Sequence, residues 1–138
     1  MNKDKLKALY IQYGLTKEDV FKHQHYVIIT RSGIEKIQSQ ADINVEFESK
    51  VLERDFAVIK ATAYIDAKKL IQTFGSALKG DFKNGNCNTW YVAEMAEKRA
   101  LSRAVLKLTG FYELGVFGED ESDDFKRPRV EPKQLINK

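Results

Sequence analysis

Alternation of apolar and polar side chains is clearest in the middle of the chain. Residues 43–48, INVEFE, put every second side chain on an apolar face, which predicts a half-buried strand with one face in water. Residues 56–65 have a denser apolar pattern that is typical of a central strand, and residues 70–77 predict a third strand. Because short polar turns separate the segments, we predict a three-stranded antiparallel sheet.

A helical period dominates residues 88–111, NTWYVAEMAEKRALSRAVLKLTGF, the longest such segment of the chain. Thr89 is placed to cap the first turn, and Gly110 is placed to end the helix. Small and aliphatic side chains fall on one broad face, which suits a helix lying close against a sheet. The members of that face are Ala93, Leu101, Ala104, Val105 and Leu108.

Shorter patterns precede the sheet. Residues 3–13 predict an amphipathic helix, and residues 32–40 predict a second helix that opens on an S-x-x-E capping box. Between them, residues 16–21 predict a single capped turn, and residues 26–30, YVIIT, predict a buried strand or an extended segment. The fold class is therefore α+β: a three-stranded antiparallel sheet packed on one long helix, a β-β-β-α core, with short N-terminal helices.

Composition limits the number of domains. The chain has 138 residues, of which 43% are hydrophobic, enough for one core and too few for two ordinary domains. We predict a single domain over residues 1–118 and a flexible tail over residues 119–138, acidic first and then basic with both prolines. The tail holds six acidic and five basic residues, so the domain carries a net charge of +4, a modest bias toward polyanions.

The compartment is suggested by what the sequence lacks. The single Cys87 allows no intramolecular disulfide, no stretch approaches the ~20 apolar residues of a membrane span, and the first residues lack the apolar core of a signal peptide. We expect a soluble cytoplasmic protein without a membrane partner.

Three basic residues, Arg99, Arg103 and Lys107, follow one another at intervals of four and form a cationic row on the predicted helix. In one interpretation the row is simply a solvated helix face. In the other it binds phosphates, because successive members are about 6 Å apart along the axis and arginine suits phosphate oxygens. Lys98, beside Arg99, joins them as a candidate nucleic-acid-binding residue.

The loop of residues 78–88 adds two further candidates, Lys79 and Lys83, on either side of Phe82. A basic loop with an exposed aromatic can hold a nucleic-acid strand. The alternative is a plain connection between sheet and helix, whose glycines and asparagines supply the turn conformations.

Other chemistries find little support in the sequence. Gly75 and Gly80 have the glycine spacing of a phosphate-binding P-loop, but Asp81 stands where that motif requires lysine. His23 and His25 have no third metal ligand nearby, and the strand acids alternate with apolar residues as a solvent face does. We expect no enzymatic activity, no cofactor and no metal.

The order of elements and the helix sequence together resemble a known family. The segment Ala96 to Ala104 reads AEKRALSRA and resembles the AExRAxxRA signature of the phage-type single-strand DNA annealing proteins. These belong to the Rad-fifty-two-like superfamily, which includes the ERF, Red-beta and Sak groups and shares a β-β-β-α core. The resemblance runs from about Tyr26 to Gly115 and includes TRSGIEKI before the strands.

The resemblance implies binding of single-stranded DNA and ATP-independent annealing in recombination or repair, in a compact phage or mobile-element protein. It implies a homo-oligomer, as a ring or filament, and an exonuclease or single-strand-binding protein as a possible partner. It would place Arg99 and Arg103 in or beside a groove between sheet and helix, with Lys79 and Lys83 at its mouth.

Two other functions remain open. One is a non-annealing adaptor of a replication or recombination complex, docking through residues 112–117. The other is a binder of the double-stranded-RNA type, since a sheet with helices on one face also serves there. For an annealing protein, we further expect the acidic run of the tail to compete with DNA for the basic groove.

Overall fold

The computed structural model describes residues 3–66, 68–81 and 84–121, without the side chain of Lys69. The elements in chain order are α1 (Lys3–Gln12), β1 (Val20–His23), β2 (Tyr26–Ile29), α2 (Arg31–Gln40), β3 (Asn44–Leu52), β4 (Phe56–Ile65), β5 (Lys69–Leu78), α3 (Val92–Thr109), a 3-10 helix (Tyr112–Leu114) and β6 (Val116–Gly118). The strands form two three-stranded sheets, and α3 packs on the larger one. The predicted α+β class is confirmed.

The larger sheet has the order β3-β4-β5 and is antiparallel throughout, as predicted. Side chains of β4 alternate because one face of the sheet meets α3 while the other does not. The buried set is Ala57, Ile59, Ala61 and Ala63. The opposite face keeps Leu70, Phe74 and Leu78 exposed. A register shift between Ser49 and Val51 interrupts the outer strand β3, most of whose side chains are exposed.

Helix α3 crosses the sheet at Gly75 of β5. A Cβ atom there would lie 2.1 Å from the carbonyl oxygen of Ala96 and 2.5 Å from the backbone nitrogen of Ala100. The Thr73 hydroxyl donates to the Ala100 carbonyl at 2.7 Å. Small residues on both elements therefore allow backbone-to-backbone approach, and the predicted packing of the long helix on the sheet is confirmed.

The ends and faces of α3 differ in part from the prediction. The helix ends at Gly110, whose φ of 93° is left-handed, as expected. It begins only at Val92, because the Thr89 hydroxyl accepts a hydrogen bond from the Tyr91 N–H at 3.3 Å instead of capping the first turn. The buried surface also includes Arg99 and other polar positions, so it is wider than the apolar face.

The smaller sheet was predicted only through its central strand. β2 pairs antiparallel with β1 and parallel with β6, which arrives from the far end of the chain. The Thr16 N–H does donate to the Asp19 carboxylate at 2.9 Å, as the capping pattern predicted. The turn nevertheless ends there, because Val20 already pairs with Ile29. The prediction of a turn continuing through Phe21 was therefore wrong.

The core lies between the two sheets and the helices, around the fully buried Phe111. The rings of Tyr10 and Tyr13 have their centroids 6.3 and 5.8 Å from the Phe111 ring, so α1 packs on the end of α3. Helix α2 is capped by Thr30, whose hydroxyl accepts from the Gly33 N–H at 3.1 Å. The expected capping residue, Ser32, lies inside the helix instead.

Residues 119–121, here called the acidic turn, follow β6 as one 3-10 turn. Asp120 is 5% exposed and Glu121 is 8% exposed. The predicted flexible tail therefore began too early, because ion pairs with arginines hold its first residues against the domain. The rest of that prediction, residues 122–138, lies outside the described residues.

Candidate nucleic-acid interface

Arg99, the first member of the cationic row, lies inside the protein and is only 4% exposed. Its guanidinium donates to the backbone carbonyls of Asn86 at 2.6 Å, Ser76 at 2.8 Å and Asp120 at 3.2 Å. These carbonyls belong to the loop before α3, to β5 and to the acidic turn. Arg99 therefore joins three segments, a geometry that fits a structural role and leaves little of the guanidinium for a phosphate.

Arg103 lies one turn further along α3 and keeps 35% of its side chain exposed. It donates to the Phe74 carbonyl of β5 at 3.0 Å and to the Glu121 carboxylate at 2.9 Å. A cavity of about 170 Å³ opens beside this ion pair; it is lined by Phe74, Ser76, Asn86, Arg99, Arg103 and Glu121. Arg99 and Arg103 thus meet at the edge of β5, where both bind carbonyls of the strand.

The other predicted residues that the structure describes do not line this cavity. The Lys107 ammonium lies 5.2 Å from the centre of the Tyr112 ring, near the C-terminal end of α3. Lys98 is half-buried on α3. Lys79 follows β5 at the opposite end of the helix, and Lys83 lies outside the described residues. The structure therefore does not bring the five described members of the predicted set into one groove.

A different cluster forms where the β3–β4 turn, the end of β5 and the start of α3 meet. The Lys79 N–H donates to the Asp55 carbonyl at 2.7 Å, which brings the end of β5 to that turn. Trp90 stands just before α3. The Arg54 guanidinium and the Lys79 ammonium each lie 4.9 Å from the centroid of its ring.

This aromatic cluster is open to solvent. Trp90 is 56% exposed and the adjacent Tyr91 is 69% exposed, although large aromatic side chains are usually mostly buried. Both cations lie over the exposed indole ring, so a nucleobase can stack on the ring by displacing one of them, and the displaced cation can then bind a neighbouring phosphate. The same contacts also tie the β3–β4 turn to the helix, so binding experiments need a stability control.

Sequence reasoning assigned Lys79 to the interface but missed Arg54, Trp90 and Tyr91. Trp90 was treated as part of a helix, although it is the only tryptophan of the chain and stands beside a tyrosine at the predicted loop boundary. The two adjacent aromatic residues were the sequence pattern from which this candidate site could have been predicted. Arg54 gave none, since its proximity to Trp90 depends on how the sheet folds.

The acidic turn sets the electrostatics around the arginines that it contacts. The Asp120 carboxylate binds the Arg31 guanidinium at 2.8 Å, and this hydrogen bond together with the negative charge raises the pKa of Arg31. The Glu119 carboxylate accepts from the Arg31 N–H at 2.9 Å. The net charge of +4 for residues 1–118 does not include these acids. They therefore neutralise basic residues that this number counts in full.

Residues 112–117, proposed for the adaptor, join an aromatic cluster on the smaller sheet. The Phe117 ring contacts both Tyr26 and Tyr112 edge-on, with centroids 5.6 Å apart in each pair. All three side chains are half-buried, while Phe21 on the neighbouring strand β1 is 40% exposed. No aromatic side chain of this surface is as exposed as Trp90 or Tyr91.

Within the described part of the chain, no helix is long and apolar enough to cross a membrane. The same residues contain no group of three or more histidine, cysteine or acidic side chains placed to hold a metal ion. Comparison with models of protein families, with curated proteins and with solved structures finds no match to this chain.

Proposed function

We propose that this protein binds single-stranded DNA and pairs complementary strands without ATP. The observation that carries the proposal is the exposed Trp90 with Arg54 and Lys79 around its ring. Two features support it: the β-β-β-α arrangement of β3, β4, β5 and α3, and the annealing-type signature on α3, residues 96–104. The proposal includes action in the cytoplasm as a homo-oligomer, in a phage or mobile-element system with an exonuclease or single-strand-binding partner.

The mechanism follows from what the cluster can hold. A base that stacks on Trp90 takes the place of one of the two cations over the ring, and Arg54 and Lys79 then attract the neighbouring phosphates. Stacking and phosphate contacts leave the hydrogen-bonding edges of bases free to meet a complement. Strand pairing then needs no nucleotide hydrolysis, only the capture of strands in an accessible form.

The first test measures binding of a fluorescent single-stranded oligonucleotide by anisotropy across a range of salt concentrations. Trp90→Ala should weaken binding by roughly 5- to 150-fold, since one base–aromatic stack contributes about 1–3 kcal/mol. Trp90→Phe should recover part of the loss. The matched control is Phe21→Ala, which removes another exposed aromatic side chain from the smaller sheet and should bind as the wild type does.

The cations are tested by the salt dependence. Arg54→Ala and Lys79→Ala should each lower the slope of log affinity against log salt by roughly 0.7, the increment for one single-strand phosphate contact. The exposed Lys17 gives the control for a general loss of charge. Equal effects of Lys17→Ala and Lys79→Ala, or of Phe21→Ala and Trp90→Ala, would remove this site from the proposal.

Two further measurements separate the alternative functions. An annealing protein should accelerate the pairing of complementary labelled strands in the absence of ATP, and it should prefer single strands to duplex. The double-stranded-RNA alternative predicts the reverse preference. The adaptor alternative predicts no binding to either, and the aromatic cluster around Phe117 is then the surface to examine for partner docking.

A further inference from the structure

Asp120 anchors the acidic turn to the domain. Its carboxylate accepts from Arg31 at 2.8 Å and from the Ser102 hydroxyl at 3.4 Å, and its backbone carbonyl accepts from Arg99. Both carboxylate oxygens therefore have donors. Deleting residues 119–138 would remove these contacts along with the rest of the acids, so single substitutions test the turn more sharply than a deletion.

Glu121 is bound less completely. One of its carboxylate oxygens accepts from Arg103 at 2.9 Å. The other is buried and has no hydrogen-bond partner among the residues that the structure describes. A buried acceptor without a partner is unfavourable, and this cost offsets much of the gain from the ion pair. The Glu121 side chain is therefore easier to displace than that of Asp120.

The place that Glu121 occupies suits another anion. Arg103 keeps a third of its side chain exposed beside the cavity at the β5 edge. A phosphate offers several acceptor oxygens to a guanidinium and pairs with it in the planar geometry that arginine favours. Of the two arginines at this edge, Arg103 is the one that solvent reaches.

We infer that Glu121 is an internal competitor for single strands: in the free protein it holds Arg103, and a backbone phosphate replaces it when a strand binds. This inference rests on the proposed function. It extends the interface from Trp90, just before α3, to Arg103 at the β5 edge, about three turns along the helix. A strand has to displace Glu121 to reach Arg103. The acidic turn therefore favours strands that contact the aromatic cluster as well as Arg103.

The test substitutes Glu121→Gln, which keeps the shape of the side chain and removes its charge. Because a strand no longer has to displace the Glu121 carboxylate, single-strand affinity at 0.1 M salt should rise about fivefold, the effect of losing one partly exposed ion pair. The salt slope should change little, since the contact between Arg103 and a phosphate forms in both complexes. Glu18→Gln changes an exposed acid in the turn before β1 and controls for the change in net charge. In an Arg103→Ala background, Glu121→Gln should raise single-strand affinity no more than Glu18→Gln does.

The outcomes separate the two proposals. If the wild type binds single strands and Trp90→Ala weakens binding, but Glu121→Gln matches Glu18→Gln, the competitor role is wrong and the proposed function stands. If the wild type binds no single strands, the proposed function itself fails. Melting temperatures are recorded for each variant. If Glu121→Gln folds poorly, Glu121→Asp replaces it, because the shorter side chain keeps the charge but withdraws it from Arg103. This variant must still show part of the increase in single-strand affinity.

Discussion

Replacing Arg99 by alanine should destabilise the protein rather than remove a phosphate contact. The change deletes three hydrogen bonds from a buried charged group to the carbonyls of Ser76, Asn86 and Asp120. Hydrogen bonds to charged groups each contribute about 1.5–3 kcal/mol, and burial of the guanidinium costs several kcal/mol in return. We therefore expect a net loss of roughly 3–5 kcal/mol, a large part of the 5–15 kcal/mol typical of a domain.

The assay is urea unfolding followed by circular dichroism, with single-strand binding measured on the same samples. Arg103→Ala gives the matched comparison, since it removes an arginine one turn away that is 35% exposed; its loss should be only about 1 kcal/mol. Arg99→Lys should recover little stability, because one ammonium cannot replace a planar group that reaches three carbonyls. An Arg99→Ala protein with wild-type stability and weakened single-strand binding would refute this assignment and restore Arg99 to the interface.

Two further predictions concern residues that hold the elements of the fold together. Gly75→Ala should cost more than about 2 kcal/mol in urea unfolding, because the new methyl group would meet the backbone of α3 at Ala96, whereas Ser76→Ala on the opposite face should cost little. Burial by itself raises the pKa of Asp19, but hydrogen bonds from Lys36 and Thr16 outweigh it and hold the pKa below its ordinary value. That contribution to stability is present above the unfolded pKa of about 3.9 and is lost as the pH falls through the lower folded value, so the destabilisation by Asp19→Asn should be full at pH 6 and should shrink in acid; a deficit independent of pH would contradict the assignment.

The larger sheet could be predicted because β4 and β5 each have one wet face and one face against α3, and because the hairpins that join the strands are local in sequence. The alternation of residues 43–48 predicted the strand β3 but not its burial, since Phe47 is 41% exposed. The smaller sheet could not be predicted to the same extent. β6 is three residues long and pairs with β2 across about ninety residues of chain, so neither length nor periodicity marks it.

The cationic row shows the limit of helical spacing. Intervals of four correctly place Arg99 and Arg103 on one side of α3, but spacing alone does not say what that side meets. Their partners are mostly backbone carbonyls, which every residue carries, so the sequence holds no signal for them. Trp90 and Arg54 illustrate the converse, since thirty-five residues separate them and only the fold brings them together.

The covering of the β5 edge has a consequence for self-assembly. From Phe74 to Leu78 its outward backbone groups already bind Arg103, Arg99 and Asn86, while the edge of β3 carries no such covering among the described residues. Rings and filaments need two different surfaces that fit each other head to tail. A sheet extended from copy to copy would have to dislodge two arginines at every joint. With one usable edge on this sheet, pairing through the larger sheet closes on itself after two copies, and a longer assembly has to use other surfaces.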